Sequence, residues 1–215
     1  YRRELPDVPT LARALAPQPG ALPLREGRGR AGDRLAGLLP GRALAQVAHH
    51  FGVPHGAQGQ ATSPVFPSLA GQNRAYLSKQ LTDFRAGKRI STTMAPQVVD
   101  LSDENIAALA EFFSGKPAKV HRVSDEDLLA VGRYIYTKGN SWSGVPACTT
   151  CHGDKAYGTT NLPRLAGQSA RYLLSQLKDF NQRTRTNDNE EMHLVASRLT
   201  EMETKAVADY LSQLP

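Results

Sequence analysis

The sequence predicts an all-α chain made of two tandem copies of one helical unit, and three observations carry that expectation. The first is an internal repeat: Phe66-Pro67-Ser68-Leu69-Ala70-Gly71-Gln72, with Tyr76-Leu77, Gln80-Leu81 and Asp83-Phe84, returns 96 residues later as Leu162-Pro163-Arg164-Leu165-Ala166-Gly167-Gln168, with Tyr172-Leu173, Gln176-Leu177 and Asp179-Phe180. So dense a match points to tandem duplication. Farther on, Met94 and Leu101-Ser102-Asp103 correspond to Met192 and Leu199-Thr200-Glu201 at an offset of 98. The second observation is apolar spacing of helical period, and the third is a set of helix start signals with no strand-like alternation.

In chain order, residues 1–40 read as an irregular extension. Pro17, Pro19, Pro23 and Pro40, with many Gly between them, break any long helix. Residues 1–60 carry eight Arg, no Lys and four acids. The first unit spans 41–118. Within it a short helix is expected over about Arg42–Val47, then a loop from His49 to Ser68, and an amphipathic helix over 69–87 that Gly87 ends. A loop holding Met94 and Pro96 leads to Ser102-Asp103-Glu104-Asn105, a cap with early acids that opens a helix over 106–113, closed by Gly115 and Pro117.

Residues 119–125 form the linker, and the second unit spans 126–215. Ser124-Asp125-Glu126-Asp127 signals its first helix, which runs through Tyr136 with Leu128, Leu129, Val131, Ile135 and Tyr136 on the buried side. Gly132 stands in mid-helix, where it costs stability unless a second helix crosses closely. The C-terminal helix at about 201–214, with Val207, Tyr210 and Leu211, is the candidate for that crossing. Between the two come a helix at about 167–181 and a polar loop, Thr184–Glu191, that leads to Met192.

The chemistry concentrates at Cys148-Thr149-Thr150-Cys151-His152, followed by Gly153. Two thiols two residues apart with His directly after the second form the attachment pattern of haem c, in which both sulfurs add to vinyl groups and the imidazole coordinates iron. A zinc site needs four ligands, and the chain has only these two Cys. A thioredoxin-like redox pair needs an α/β setting that this helical sequence lacks. A disulfide over so short a loop would constrain little chain. Iron held by His152 on one face needs a sixth ligand. Met192 is the candidate, because a thioether favours ferrous iron and Met192, unlike Met202, has a repeat partner. His193 is the competing ligand, and a gap-filling core role for Met192 is the structural alternative.

Composition limits the other classes. The formal charge of +6 is spread along the chain with no basic cluster on a recognition motif, which argues against nucleic acid and for a mild preference for acidic partners. No apolar run approaches the length of a membrane span, so any membrane contact is expected to be peripheral. No signal peptide is visible at Tyr1, as expected of a chain whose leader has been removed, and haem attachment at this motif places it in an exported, periplasmic setting.

These residues resemble the cytochrome c4 family, over roughly 41–215. The resemblance rests on the two Pro-x-Leu-Ala-Gly-Gln helix starts, the Cys148–His152 motif and Arg185-Thr186-Asn187-Asp188 before Met192. It implies two tandem class I cytochrome c domains packed with their haem propionate edges close together. In the second domain it implies Cys148 and Cys151 as covalent anchors and His152 and Met192 as axial ligands, with the carbonyl of Pro163 orienting the His152 ring. It further implies an electron carrier, not an enzyme, passing single electrons between redox partners such as an oxidase, reductase or dehydrogenase. The alternative is the cytochrome subunit of a larger dehydrogenase, as in flavocytochrome c sulfide dehydrogenase.

The first domain departs from this pattern. His55-Gly56 matches His152-Gly153 with a one-residue slip and Met94 matches Met192, but Phe51 and Pro54 stand where the two Cys belong. Three accounts follow: a domain that lost its covalent haem, with Phe51 and Phe66 refilling the pocket; a copper site gathering His49, His50, His55 and Met94; or a displaced reading frame, since the Ala/Arg/Gly/Pro/Leu bias of residues 11–48 is what GC-rich DNA gives out of frame. The expectation is one covalent haem c per chain, with His55 and Met94 as the open question for a second metal site.

Overall fold

The computed structural model describes residue 51 and residues 54–121 and 126–215. The expected extension at 1–40, the helix over Arg42–Val47, His49 and His50, and the start signal at Ser124 and Asp125 lie outside the described residues. Among the described residues the chain is helical without strands, and one isolated antiparallel bridge joins Asn140 to Val145. The helices are α1 (Arg74–Arg85), α2 (Ala95–Val98), α3 (Asp103–Ser114), α4 (Glu126–Lys138), α5 (Thr149–His152), α6 (Ala170–Asn181), α7 (Glu191–Ala196) and α8 (Glu201–Gln213).

The helix expected from residue 69 starts later, at Arg74, because the preceding residues form a turn. Leu69 N and Ala70 N both donate to Gly59 O, and Gly71 takes φ +68° to redirect the chain. The second repeat does the same: Leu165 N and Ala166 N donate to Ala156 O, and Gly167 takes φ +71°. Gly71 N then bonds Phe113 O, and Gly167 N bonds Leu211 O, each at 3.0 Å. In both repeats, therefore, the turn before one helix is tied to the last turns of another.

The start signals act as their chemistry requires. Ser102 Oγ accepts the Asn105 N–H at the head of α3. At α8 the cap is reciprocal, with Thr200 Oγ1 accepting from Glu203 N and Glu203 Oε2 accepting from Thr200 N.

Each repeat encloses its own core. Phe51, Leu77, Leu81, Ile106, Leu109 and Phe113 form one, and Ile135, Tyr136, Leu173, Val207 and Leu211 belong to the other. Each such side chain contributes roughly 1.5–3 kcal/mol on burial. α8 packs on α4 at the mid-helix glycine: a Cβ on Gly132 would stand 2.0 Å from Ala206 O.

The repeats meet across a seam with pseudo-twofold character. Gln72 accepts from Arg164 N at 2.7 Å and donates to Arg164 O at 2.9 Å. Gln168, its repeat partner, accepts from Ser68 N at 2.8 Å and donates to Ser68 O at 2.9 Å. Both glutamines are buried, so each pair satisfies a backbone N–H and C=O that would otherwise be costly to bury.

Candidate functional site

Cys148 caps α5, and the single turn that follows places Cys148 and Cys151 three residues apart on one side. His152 N and Cys151 N both bond Cys148 O, at 2.9 and 3.2 Å. Gly153, at φ +75°, turns the chain away. Both thiols are free. Cys148 is partly buried, and burial pushes its thiol up to about 11, whereas Cys151 is exposed.

His152 is buried and its Nδ1 lies 3.4 Å from Pro163 O. Burial lowers the imidazole below its ordinary value, against the opposing effect of the Pro163 carbonyl, so the ring is favoured neutral. With Nδ1–H held by that carbonyl, Nε2 keeps its lone pair for a metal. Tyr136 braces the same turn from behind, its hydroxyl donating to Gly153 O at 2.6 Å.

Met192 lies in the first turn of α7, which already begins at Glu191, the last residue of the expected polar loop, and its N–H donates to Asp188 Oδ2 at 2.7 Å. Cys148, Cys151, His152, Pro163 and Met192 all line one cavity. His193 does not line it; its Nδ1 lies 3.0 Å from Phe180 O. Met202 sits 59% exposed on α8, away from that cavity.

The first repeat preserves the histidine geometry. His55 is buried with Nδ1 at 2.9 Å from Pro67 O, the repeat counterpart of Pro163, and burial lowers its pKa as it does for His152. Met94 packs against the first core, and His55 and Met94 line the same cavity. That cavity has a volume of about 1690 Å³, continuous through both repeats, against the roughly 300–1,000 Å³ of an ordinary small-molecule site.

The expectation that Phe51 and Phe66 refill the first pocket does not match this arrangement. Phe51 joins the first core and stacks on His55 at 6.4 Å between ring centroids, while Phe66 meets the same ring edge-on at 6.0 Å. Both are wall residues of a cavity that still reaches Leu109 and Phe113, because Phe66 only occupies the place of Leu162 in the other repeat. Among the described residues no three or more His, Cys, Asp and Glu side chains gather as a metal site, and two of the proposed copper ligands, His49 and His50, lie outside them.

Two features of the site are not legible in the sequence. Helical periodicity places Tyr136 on a buried face and says nothing of its hydroxyl. Arg185 stands in the Arg185–Asp188 stretch that carries the family resemblance, but nothing in that stretch shows where its side chain goes, and Arg89 carries only a faint signal, following Phe84 by five residues as Arg185 follows Phe180. In the structure they reach across the seam toward Tyr172 and Tyr76. Burial works to raise the Tyr172 phenol, but the Arg89 and Arg185 charges outweigh it and hold the group below its ordinary value.

The donor set suits haem c: two thiols at one edge of a largely apolar cavity, a neutral imidazole with a free Nε2, and a thioether lining the same space.

Comparison with known proteins supports the same chemistry. A family model described as cytochrome c matches residues 130–215. Cytochrome c4 of Pseudomonas aeruginosa is 38% identical over 188 residues, covering 86% of this chain and 90% of that protein. A protein of Stutzerimonas stutzeri named thiosulfate dehydrogenase electron acceptor is 37% identical over 172 residues, covering 74% of this chain and 76% of its own length. The crystal structure of reduced cytochrome c4 from Pseudomonas stutzeri superposes with a TM-score of 0.76 at 34% identity, covering 81% of this chain and 98% of that one. Repeat, fold, attachment motif and relatives agree: this chain belongs to the cytochrome c4 family, electron-transfer proteins that carry haem c.

Proposed function

We propose that the chain is a periplasmic one-electron carrier whose covalent haem lies in the second repeat, residues 126–215. Cys148 and Cys151 would hold it covalently, His152 and Met192 would ligate its iron, and Pro163 would orient the His152 ring. The observation that carries this reading is that all five side chains line one cavity, with the buried His152 fixed through Nδ1. When bound, haem supplies a one-electron ferric/ferrous couple.

Cys148 and Cys151 would hold haem covalently by adding S–H across its vinyl groups, which would need no oxidant. Neutral His152 would ligate the iron through Nε2, and the Met192 thioether would favour the ferrous state. With His152 and Met192 both holding the haem iron, the chain would leave no coordination site for a small substrate, which supports a carrier role.

A charge of +6 suits a partner with an acidic docking face. The Stutzerimonas stutzeri relative, named as an electron acceptor of thiosulfate dehydrogenase, favours a dehydrogenase as the donor and supports a second reading in which the chain is the cytochrome subunit of such a complex. In the first repeat His55 and Met94 line the same cavity, but the sequence places no cysteine beside His55, so any haem there would lack covalent anchors.

Intact mass and an alkaline pyridine spectrum of the purified chain test the assignment. One added haem mass, lost in Cys148→Ala/Cys151→Ala, is expected. An unmodified mass would overturn the covalent site. Two added haem masses would overturn the one-haem reading and point to two further cysteines near residues 48–54.

A further inference from the structure

The loop that carries Met192 is longer than its counterpart. The repeat offset is 96 residues at Arg185 and 98 at Met192, so two residues are added between them relative to the stretch from Arg89 to Met94. In the shorter loop Ser91 Oγ accepts the Met94 N–H at 3.1 Å. In the longer one Asp188 Oδ2 takes the equivalent bond from Met192 N, and the next two residues, Asn189 and Glu190, both have left-handed backbone, at φ +59° and +65°. Such backbone is unfavourable for residues other than glycine, so this loop needs outside contacts to hold it closed.

Those contacts come from the other repeat. Asn187 Nδ2 donates to Asp83 Oδ2 at 2.7 Å and to Gln80 Oε1 at 3.1 Å, and Asn187 O accepts from Lys79 Nζ at 2.6 Å. Lys79 Nζ also donates to Asp83 Oδ2, at 2.5 Å, so the carboxylate that grips Asn187 is itself charge-balanced. Lys79, Gln80 and Asp83 all stand on α1 of the first repeat, and Gln80 and Asp83 are buried. Asn187 Oδ1 accepts from Arg185 Nε within the loop, which engages both polar atoms of the Asn187 side chain. The repeat partners do not reciprocate. Asp179, which corresponds to Asp83, accepts from Gln176 and Thr184 of its own repeat, and Ser175, which corresponds to Lys79, donates to Tyr172 O. Among the described residues the clasp exists once, and it acts on the repeat that carries the cysteines.

We propose that Asp83, with Lys79, is a positioning residue for Met192: through Asn187 it holds the lengthened loop from across the seam and so keeps the thioether on the iron of the second repeat. The inference rests on the covalent haem and the Met192 ligation proposed above. It gives the first repeat a task that needs no cysteines of its own. A hydrogen bond to a buried carboxylate is stronger than one between neutral groups, and its loss raises the share of chains in which the loop is open and the iron accessible.

The test is imidazole titration of the ferric holoprotein, in which imidazole competes with the Met192 sulfur for the iron and the readout is loss of the sulfur-to-iron charge-transfer band. For Asp83→Ala the imidazole concentration at half-displacement is expected to fall about tenfold, the effect of losing one hydrogen bond to a charged group. Asn187→Asp, near-isosteric, sets a second carboxylate against Asp83 and is expected to lower that concentration as well; it serves if Asp83→Ala fails to take up haem. The first variant removes a negative charge and the second adds one, so shifts in the same direction come from the loop and not from the field at the iron. The control is Asp100→Asn, at an exposed carboxylate of the first repeat.

An Asp83→Ala titration equal to that of the control overturns the clasp, and so does a lowered Tm with unchanged imidazole affinity, which is what a purely structural carboxylate would give. Shifts of opposite sign in Asp83→Ala and Asn187→Asp also overturn it, because the charges then act on the iron directly. Failure of the underlying reading looks different. A chain of unmodified mass refutes the covalent site, and a charge-transfer band that survives Met192→Ala refutes the ligand, the clasp falling with either. A band that Met192→Ala removes, but that Asp83→Ala leaves as resistant to imidazole as the wild type, refutes the clasp alone.

Discussion

Gly132→Ala tests the helix crossing that walls the haem cavity. Gly132 is buried in the middle of α4, opposite Ala206 and Tyr210 of α8, and Val207 and Leu211 of the same α8 segment line the cavity. On propensity alone the change would stabilise the helix by about 1 kcal/mol. The added Cβ, however, would stand 2.0 Å from Ala206 O, 2.6 Å from Ala206 C and 2.8 Å from Tyr210 Cβ, and two of these three atoms are backbone. The helices must separate, and overpacking of this kind costs about 1–3 kcal/mol or more. Because the contact is with backbone, the upper end applies, leaving a net loss of about 2 kcal/mol. For a unit of this size that lowers Tm by roughly 8–16 °C. Thermal unfolding of the holoprotein by far-ultraviolet circular dichroism checks it, with Gly87→Ala as a comparison. A methyl group added at Gly87 would meet no atom within 4 Å, but the residue takes φ +70°, so the cost there, about 1–2 kcal/mol, is purely conformational. A Gly132→Ala protein as stable as the wild type, or more so, would show that α4 and α8 do not approach as closely as described.

Met192→Ala is expected to remove the sulfur-to-iron charge-transfer band and lower the potential, while Met202→Ala, on the exposed face of α8, leaves both unchanged; the opposite pattern in visible spectra would reassign the ligand. In haem-free protein at neutral pH, an alkylating reagent followed by peptide mass analysis should label exposed Cys151 well before Cys148, whose thiol is held at about 11 by burial, and equal labelling would contradict that burial. Burial acts to raise the Glu203 carboxyl, but its bonds from Thr200 and Asn140 prevail and hold it below the ordinary value. A folded-state pKa below the unfolded one gives stability that is present above about pH 4.3 and is lost as pH falls further. Glu203→Gln should therefore lower stability by about 1 kcal/mol at pH 7 and flatten the acid limb of an unfolding profile; an unchanged limb would assign that limb to other carboxylates.

The sequence by itself determined the parts of this protein whose cause is local. Cys148, Cys151 and His152 are specified by covalent spacing on one helical turn, and Ser102 and Thr200 by the unpaired N–H groups at the helix starts they cap. The repeat identified two equivalent units and paired Met94 with Met192, and the mid-helix position of Gly132 foretold a crossing that Ala206 supplies. What only the tertiary structure decided is how the units face one another. Gln72 and Gln168 look alike in sequence as helix-start residues, yet each commits its amide to the other repeat's backbone. Arg89 and Arg185 cross for the same reason, and Tyr136 finds the Gly153 carbonyl only once α4 lies behind the haem-binding turn. The position of Met192 in α7 and the openness of the pocket beside Phe51 belong to this second class. Periodicity and capping act within a few residues, whereas these contacts join residues up to about a hundred positions apart. Their partners are fixed by the close packing of two nearly equivalent surfaces, for which no local pattern carries a code.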